Sequence, residues 1–195
     1  MASMVLLQDL AERLQAEDPE ERLTISGISW DRYEVFLNDL GDSLRYRVTY
    51  LDGVLELVSP SRRHERNKTI IGSLLEDYLK EKRIPFFPLG STTFRNQKKR
   101  GGTEPDESYC IGTEKEFPDI AIEVVVTSGG LDKLEVYRRL GVREVWFFKK
   151  NQFEIHHLRG EAYEQIPQSE VLPLDLAMLA EYAIATDPLA AALEF

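Results

Sequence analysis

Residues 104–112 read EPDESYCIG and residues 117–137 read FPDIAIEVVVTSGGLDKLEVY. Three consecutive elements are written there. Pro105–Ile111 reads as a strand. Ile120–Val126 is an almost unbroken β-branched run, the pattern of a central strand covered on both faces. Asp132–Leu140 reads as a helix, with Leu134, Val136 and Tyr137 apolar and Gly141 as its stop. One charge, Glu123, interrupts the apolar strand. A carboxylate there costs several kcal/mol unless it is paired, protonated or bound to a cation. It could also face solvent at a sheet edge or pair with an arginine. Asp106, on the neighbouring strand, supplies a second carboxylate. Oxygen-only ligands select hard cations such as Mg²⁺ or Mn²⁺. Such a cation binds a phosphodiester oxygen and lowers the pKa of an attacking water. Lys133 sits in the first turn of the following helix, directed back towards the C-terminal end of the strand. There its ammonium would stabilise developing charge; alternatively it is a surface lysine paired with Asp132 or Glu135.

Working outward, residues 4–16 carry the helical spacing of Leu6, Leu7, Leu10 and Leu14, ended by Asp18-Pro19. Ser29 offers an N-cap for a helix over about 30–40, with Gly41 as its stop. Arg45–Tyr50 and Val54–Val58 are strands joined at the hairpin signal Asp52-Gly53. Residues 62–82 form the longest helix, with Ile70, Ile71, Leu74, Leu75, Tyr78 and Leu79 as its apolar face. Ser91–Asn96 reads as a strand and Gln97–Gly102 as a basic turn. Downstream, Glu144–Phe148 and Phe153–Leu158 are strands joined by a Lys-Lys-Asn-Gln turn, followed by a strand near 161–165 and helices near 175–181 and 187–194. This order predicts an α/β domain: a mixed β-sheet flanked by helices, with N-terminal helices and a hairpin. With no dividing linker, residues 1–195 are expected to form one domain, its core at about 28–160 and a helical C-terminal extension at about 170–195.

Cys110 is the only cysteine, so no intrachain disulfide is possible, which fits a reducing cytoplasm. The opening residues lack the pattern of a signal peptide, and no apolar run approaches the roughly 20 residues that span a bilayer. The net charge of -10 opposes a polyanionic partner. Its distribution softens that objection, because the acids gather at 9–21 and 161–194. The middle holds Arg62-Arg63 with Arg66 and Lys68, and then Lys98-Lys99-Arg100. These are solvated faces or phosphate contacts. His156 and His157 are adjacent in a strand, face opposite ways and cannot share one ion. Cys110, Trp30 and Trp146 read as core.

Five motifs then occur in a telling order: Asp-Gly-x-Leu-Glu-x-x-Ser-Pro at 52–60 with His64 after it, Pro-Asp at 105–106, Pro-Asp-x-x-x-Glu-Val at 118–124, Asp-Lys-x-x-x-Tyr at 132–137, and Gly-Val-Arg-Glu-Val-Trp at 141–146. Over about residues 28–160 the chain resembles the Uma-type "putative restriction endonuclease" family, once catalogued as a domain of unknown function, in the PD-(D/E)XK nuclease superfamily. The resemblance implies a Mg²⁺- or Mn²⁺-dependent DNA endonuclease with Asp106 and Glu123 as metal ligands and Lys133 as catalytic lysine. It also implies that Glu56 adds a third carboxylate or holds a metal-bound water, and that His64 donates to phosphate or accepts a proton. Two departures stand out. Val125 occupies the place of the superfamily's usual lysine, for which a helix lysine such as Lys133 stands in. Thr127-Ser128-Gly129-Gly130 replaces the usual Ser-Pro. The expected partner is DNA, contacted through Arg62, Arg63, Lys98, Lys99 and Arg100. A homodimer is expected, since double-strand cutting needs two active sites. The competing readings are a catalytically inactive nuclease-fold protein that binds DNA or serves in assembly, and a hydrolase of another phosphate ester.

Overall fold

The computed structural model describes residues 20–41, 46–127 and 129–195. The helix expected over 4–16 lies outside them, as do Arg45 and Ser128. The strands divide between two sheets. The first is antiparallel, in the order β1 (Glu21–Ser26), β3 (Val54–Ser59), β2 (Arg47–Leu51), β6 (Gly101–Thr103), β5 (Phe94–Asn96). The second runs β11 (Ala162–Ile166), β10 (Gln152–Arg159), β9 (Glu144–Lys149), β8 (Ile120–Val125), β7 (Glu107–Ile111), β4 (Phe86–Pro88). It is mixed, because β8 and β9 are parallel while the other pairs are antiparallel.

Local sequence explains most of these elements. The β2–β3 turn holds Asp52 at φ 48° and Gly53 at φ 90°, as a two-residue hairpin requires. Helix α1 (Trp30–Leu40) starts where Ser29 Oγ accepts the Arg32 N–H, and its Tyr33 stacks on Tyr50 of β2 at 4.7 Å. Helix α2 (Arg62–Glu81) is capped by Ser61 and lays Ile71, Leu74, Leu75 and Leu79 on one face of the second sheet, against Ile120, Ile122, Val124 and Trp146. Helix α3 (Lys133–Leu140), capped by Asp132, makes the crossover between the parallel strands β8 and β9. Its Val136, Tyr137 and Leu140 cover Ala121 and Val145 on the opposite face. The β-branched run is therefore covered on both sides, as its composition predicts. Cys110, on β7, is fully buried.

Two strands go beyond the sequence reading. β1 falls where no element was assigned, although Leu23 and Ile25 alternate with Arg22 and Thr24. β6 falls in what reads as a glycine-ended turn. Its Gly102 lies so close to α1 that a Cβ there would run into the Tyr33 hydroxyl, so the glycine serves close approach within a strand. These additions, with β5, turn the hairpin into a sheet of its own.

The C-terminal segment joins the main core. Helix α4 (Leu176–Ala183) and the preceding Leu172 and Leu174 pack in the same cluster as α2, and α5 (Pro188–Glu194) follows. Among the described residues no helix is long and apolar enough to cross a membrane. Glu144, fully buried at the start of β9, fastens the C-terminal segment. It accepts hydrogen bonds from Trp146 Nε1 (2.8 Å), Ser169 Oγ (2.7 Å) and the backbone N–H groups of Glu170 (2.8 Å) and Val171 (3.2 Å), and it pairs with His157 Nδ1 at 2.9 Å. Burial alone would raise its carboxyl, but the bonds from Ser169, His157 and Trp146 hold it below the usual range. A folded-state pKa below the unfolded one gives stability that is complete above the unfolded carboxylate range and lost as pH falls through the folded value. Glu144→Ala should cost about 3–5 kcal/mol, read as a lower urea midpoint, and should lessen the loss of stability in acid. A midpoint equal to wild type would show that the C-terminal segment is held by its apolar contacts alone.

Candidate active site

The chain crosses from the first sheet to the second between β6 and β7, and Asp106 sits in that crossing. Glu104 anchors the segment to the first sheet, accepting from the Val48 N–H (3.2 Å) and Thr93 Oγ1 (2.7 Å). The Asp106 N–H donates to Ile122 O of the second sheet at 3.1 Å. Its carboxylate is almost wholly buried, with Oδ2 accepting the Val124 N–H at 2.7 Å and Oδ1 meeting His64 Nε2 at 2.8 Å and Arg47 Nε at 3.5 Å. His64, in the first turn of α2, turns its other ring nitrogen to Glu20 Oε2 at 2.9 Å. Burial would lower the His64 pKa, but hydrogen bonds to Asp106 and Glu20 push it up to about 9. Burial would likewise raise Asp106, and the His64 bond and charge hold it below the usual range. His64 is therefore a cation clasped between two carboxylates. This geometry differs from the expected phosphate donor or proton acceptor, because both ring nitrogens are taken.

Glu123 faces the same cleft from β8. Its Oε1 accepts from Lys133 Nζ at 2.9 Å and from the Tyr137 hydroxyl. Burial raises its carboxyl against the pull of Lys133, and the charge of Asp106 pushes the same way. Lys133 and Tyr137 stand four residues apart on α3, hence on one face. Lys133 also reaches Thr103 Oγ1 of β6 at 3.3 Å. Neither surface partner considered for Lys133, Asp132 or Glu135, is its partner here. Asp106, Glu123, Lys133, Glu56 and His64 all line a cleft of about 320 Å³, together with Arg22 and Arg47. Among the described residues, no group of three or more His, Cys, Asp or Glu side chains is gathered as a metal-binding cluster.

Glu56 plays a part the sequence did not suggest. It is buried in β3, and its Oε2 accepts the Leu131 N–H at 2.9 Å and Arg22 Nη1 at 3.3 Å. Arg22 Nη1 also donates to Gly129 O. Together they tie the loop between β8 and α3 to the first sheet.

The remaining expected residues fall outside the cleft. Arg62 and Arg63 are exposed at the head of α2 and line recesses beside it. Lys98, Lys99 and Arg100 do not line it. β6 intervenes, and three residues at about 3.3 Å each separate the turn from the site by roughly 10 Å. Arg100 is paired there with Asp52 at 3.2 Å, and Lys99 O accepts from Arg139 Nη1 at 2.9 Å. Asp119 braces the β7–β8 connection by accepting the Ile111 N–H at 2.7 Å. His156 lines the cleft, whereas His157 meets Glu144 on the other face.

The model of the Uma2 family, described as "Putative restriction endonuclease", matches residues 30–187. The chain belongs to this family. A crystal structure of a "putative nuclease belonging to DUF820", from Anabaena variabilis ATCC 29413, is similar in fold. Its TM-score is 0.52 at 16% identity, covering 80% of this chain and 99% of that one. No protein of curated function matches the chain.

The glycines that replace the Ser-Pro of the Uma-type pattern have a local reason. Gly130 is at φ 104°, and a Cβ there would collide with the Arg22 guanidinium and the Glu56 carboxylate. Gly130→Ala should therefore release the loop, adding about 1–3 kcal/mol of backbone strain to the collision. The readout is hydrogen exchange at the Leu131 amide, which should accelerate while the α2 amides keep their protection. Unchanged protection at Leu131 would mean that the loop is held by something other than the Glu56–Arg22 pair.

Proposed function

We propose that the protein is a metal-dependent endonuclease that hydrolyses phosphodiester bonds in DNA. The observation that supports this best is the convergence of Asp106, Glu123 and Lys133 on one cleft, from the crossing segment, β8 and α3. Family membership and the nuclease fold agree with it.

The donor set suits a hard dication. Asp106 and Glu123 are two nearly buried carboxylates on one cleft, and Mg²⁺ is typically held by one or two protein carboxylates, with waters and substrate oxygens filling the rest. A cation bound by these two would supply Lewis acidity to the phosphodiester. The chain's own residues do the remaining work. Val124 N–H, His64 and Arg47 fix the Asp106 carboxylate and keep it ionised. The Tyr137 hydroxyl orients Glu123. Lys133 offsets charge growing on the phosphoryl oxygens and fills the place of the lysine that Val125 lacks.

Charge also favours this reading over a non-catalytic one. The inner carboxylates Glu20, Glu56, Asp106 and Glu123 are met by Arg22, His64, Arg47 and Lys133. The inner site is thus close to neutral, and a bound dication would make it positive, the sign a phosphodiester requires. Cutting both strands of a duplex needs two such centres, so the working unit is proposed to be a homodimer.

Lys133→Ala should lower DNA cleavage in Mn²⁺ by about 10²–10³-fold, the usual loss for one transition-state donor. Calorimetry should show Mn²⁺ affinity nearly unchanged in that variant and lost in Asp106→Asn. Cleavage by Lys133→Ala at the wild-type rate would overturn the assignment of the lysine. Mn²⁺ binding that survives both Asp106→Asn and Glu123→Gln would overturn the metal site.

A further inference from the structure

Beside the cleft lies a continuous basic groove. The cleft shares Val124, Val125 and Lys149 with a second recess of about 250 Å³ that adds Arg63, Asn67 and Lys150. That recess shares Arg63, Asn67 and Asn151 with a third, of about 470 Å³, bounded by Arg62 and Arg66 and closed by Ala183 and Ile184. Among the described residues, neither of these two recesses is lined by a carboxylate. In a chain with 34 acidic residues, that absence sets the groove apart.

The cations here are also available. Lys80, Arg95, Arg100, Lys115, Arg138, Arg139 and Arg159 are all committed to carboxylates elsewhere on the surface. Among the described residues Arg62, Arg63 and Lys150 have no such partner, which is also true of Arg32, Arg83, Lys98 and Lys99, but only the groove gathers such cations around recesses that open from the cleft. The guanidinium of Arg66 there reaches a carbonyl, Ala185 O at 3.4 Å. Between them Asn67 is nine-tenths buried, lines both recesses, and has no hydrogen-bond partner among the described residues. Its amide keeps contact with solvent in the recess, so it is free to turn to a bound phosphate oxygen. The β9–β10 turn presents Lys150 firmly, because Lys150 and Asn151 hold φ at 51° and 62° in a tight two-residue connection.

We propose that this groove is the phosphate track along which duplex DNA runs away from the cleft, with Arg62, Arg63 and Lys150 on successive phosphates and Asn67 donating to one of them. The assignment rests on the nuclease reading of the cleft. It gives the backbone contact to the end of the parallel β8–β9 pair and the head of α2, and not to the Lys98–Arg100 turn.

The test is the salt dependence of duplex binding, followed by fluorescence anisotropy in EDTA so that nothing is cut. The wild type is compared with two variants of equal charge loss, Arg62→Ala/Arg63→Ala/Lys150→Ala and Lys98→Ala/Lys99→Ala/Arg100→Ala. Log affinity falls against log salt with a slope of about -0.9 per phosphate neutralised. The groove variant should therefore lose about 2–3 from the magnitude of that slope, and the turn variant should lose almost nothing. All three groove cations are exposed, so the fold should tolerate their loss. A wild type that binds with the same slope as the groove variant would overturn the groove and leave the nuclease reading standing. Equal flattening in both variants would also overturn it, since the effect would then belong to overall charge. A wild type that neither binds the duplex nor cuts it in Mn²⁺ would overturn the nuclease reading and the groove with it.

Discussion

The site depends on keeping one negative charge, that of Asp106, out of water at the point where the chain passes between its two sheets. An unpaired buried carboxylate costs several kcal/mol, whereas each hydrogen bond to a charged group returns about 1.5–3 kcal/mol. The balance is met only when β8 supplies the Val124 N–H, α2 supplies His64, and β2 brings Arg47. Each partner comes from a different element, so satisfying one carboxylate fixes how the sheets and α2 meet. Glu20 extends the chain of contacts beyond His64 and takes the Thr127 hydroxyl as well, at 2.7 Å. The cleft is a by-product of this seam. Glu123 and Lys133 enter it from the far side, on a strand and a helix whose packing is set by ordinary apolar contacts.

That division explains what could be read from the sequence. β8, α3, the cap at Ser29 and the turn at Asp52-Gly53 are written in neighbouring residues, and they appear where local chemistry puts them, within a residue or two. The convergence of Asp106, Glu123 and Lys133 was legible for the same reason, since crossing segment, strand and helix follow one another. β1 and β6 were not legible. One is a short edge strand with only two apolar positions, and the other is spelled with glycines that the approach of Tyr33 demands. The roles of Glu20, Arg22, Arg47 and Thr103 left no local trace, because their partners lie far along the chain. Tyr137 did leave one, in the Asp-Lys-x-x-x-Tyr spacing. His64 and Glu56 were flagged by resemblance alone, and the structure puts both in bracing contacts.

The overall charge of -10 proved a poor guide to the cleft for a related reason. Surface arginines and lysines are largely matched with acids over short spans, as in the Glu135, Arg138 and Arg139 cluster on α3. Such pairs cancel locally and contribute little field at a distance. What a ligand meets is set by the cations left over: Arg62, Arg63, Arg66 and Lys150 gather near the end of the parallel strands, while Arg32, Arg83, Lys98 and Lys99 lie elsewhere. Open α/β sheets commonly bind ligands at that end, because the crossover leaves a crevice between strand tips and helix.

Cys110 gives this architecture a built-in reporter. It is the chain's single thiol, it is fully buried on β7, and burial pushes its pKa up, so the reactive thiolate is suppressed twice over. Its Sγ lies under the β7–β8 connection, 3.7 Å from the Lys115 carbonyl and 3.8 Å from that of Phe117, so a thiol reagent reaches it when that connection lifts. The rate of that modification therefore clocks the lifting of the connection that joins β7, the strand after Asp106, to β8, the strand of Glu123, without any label having to be introduced.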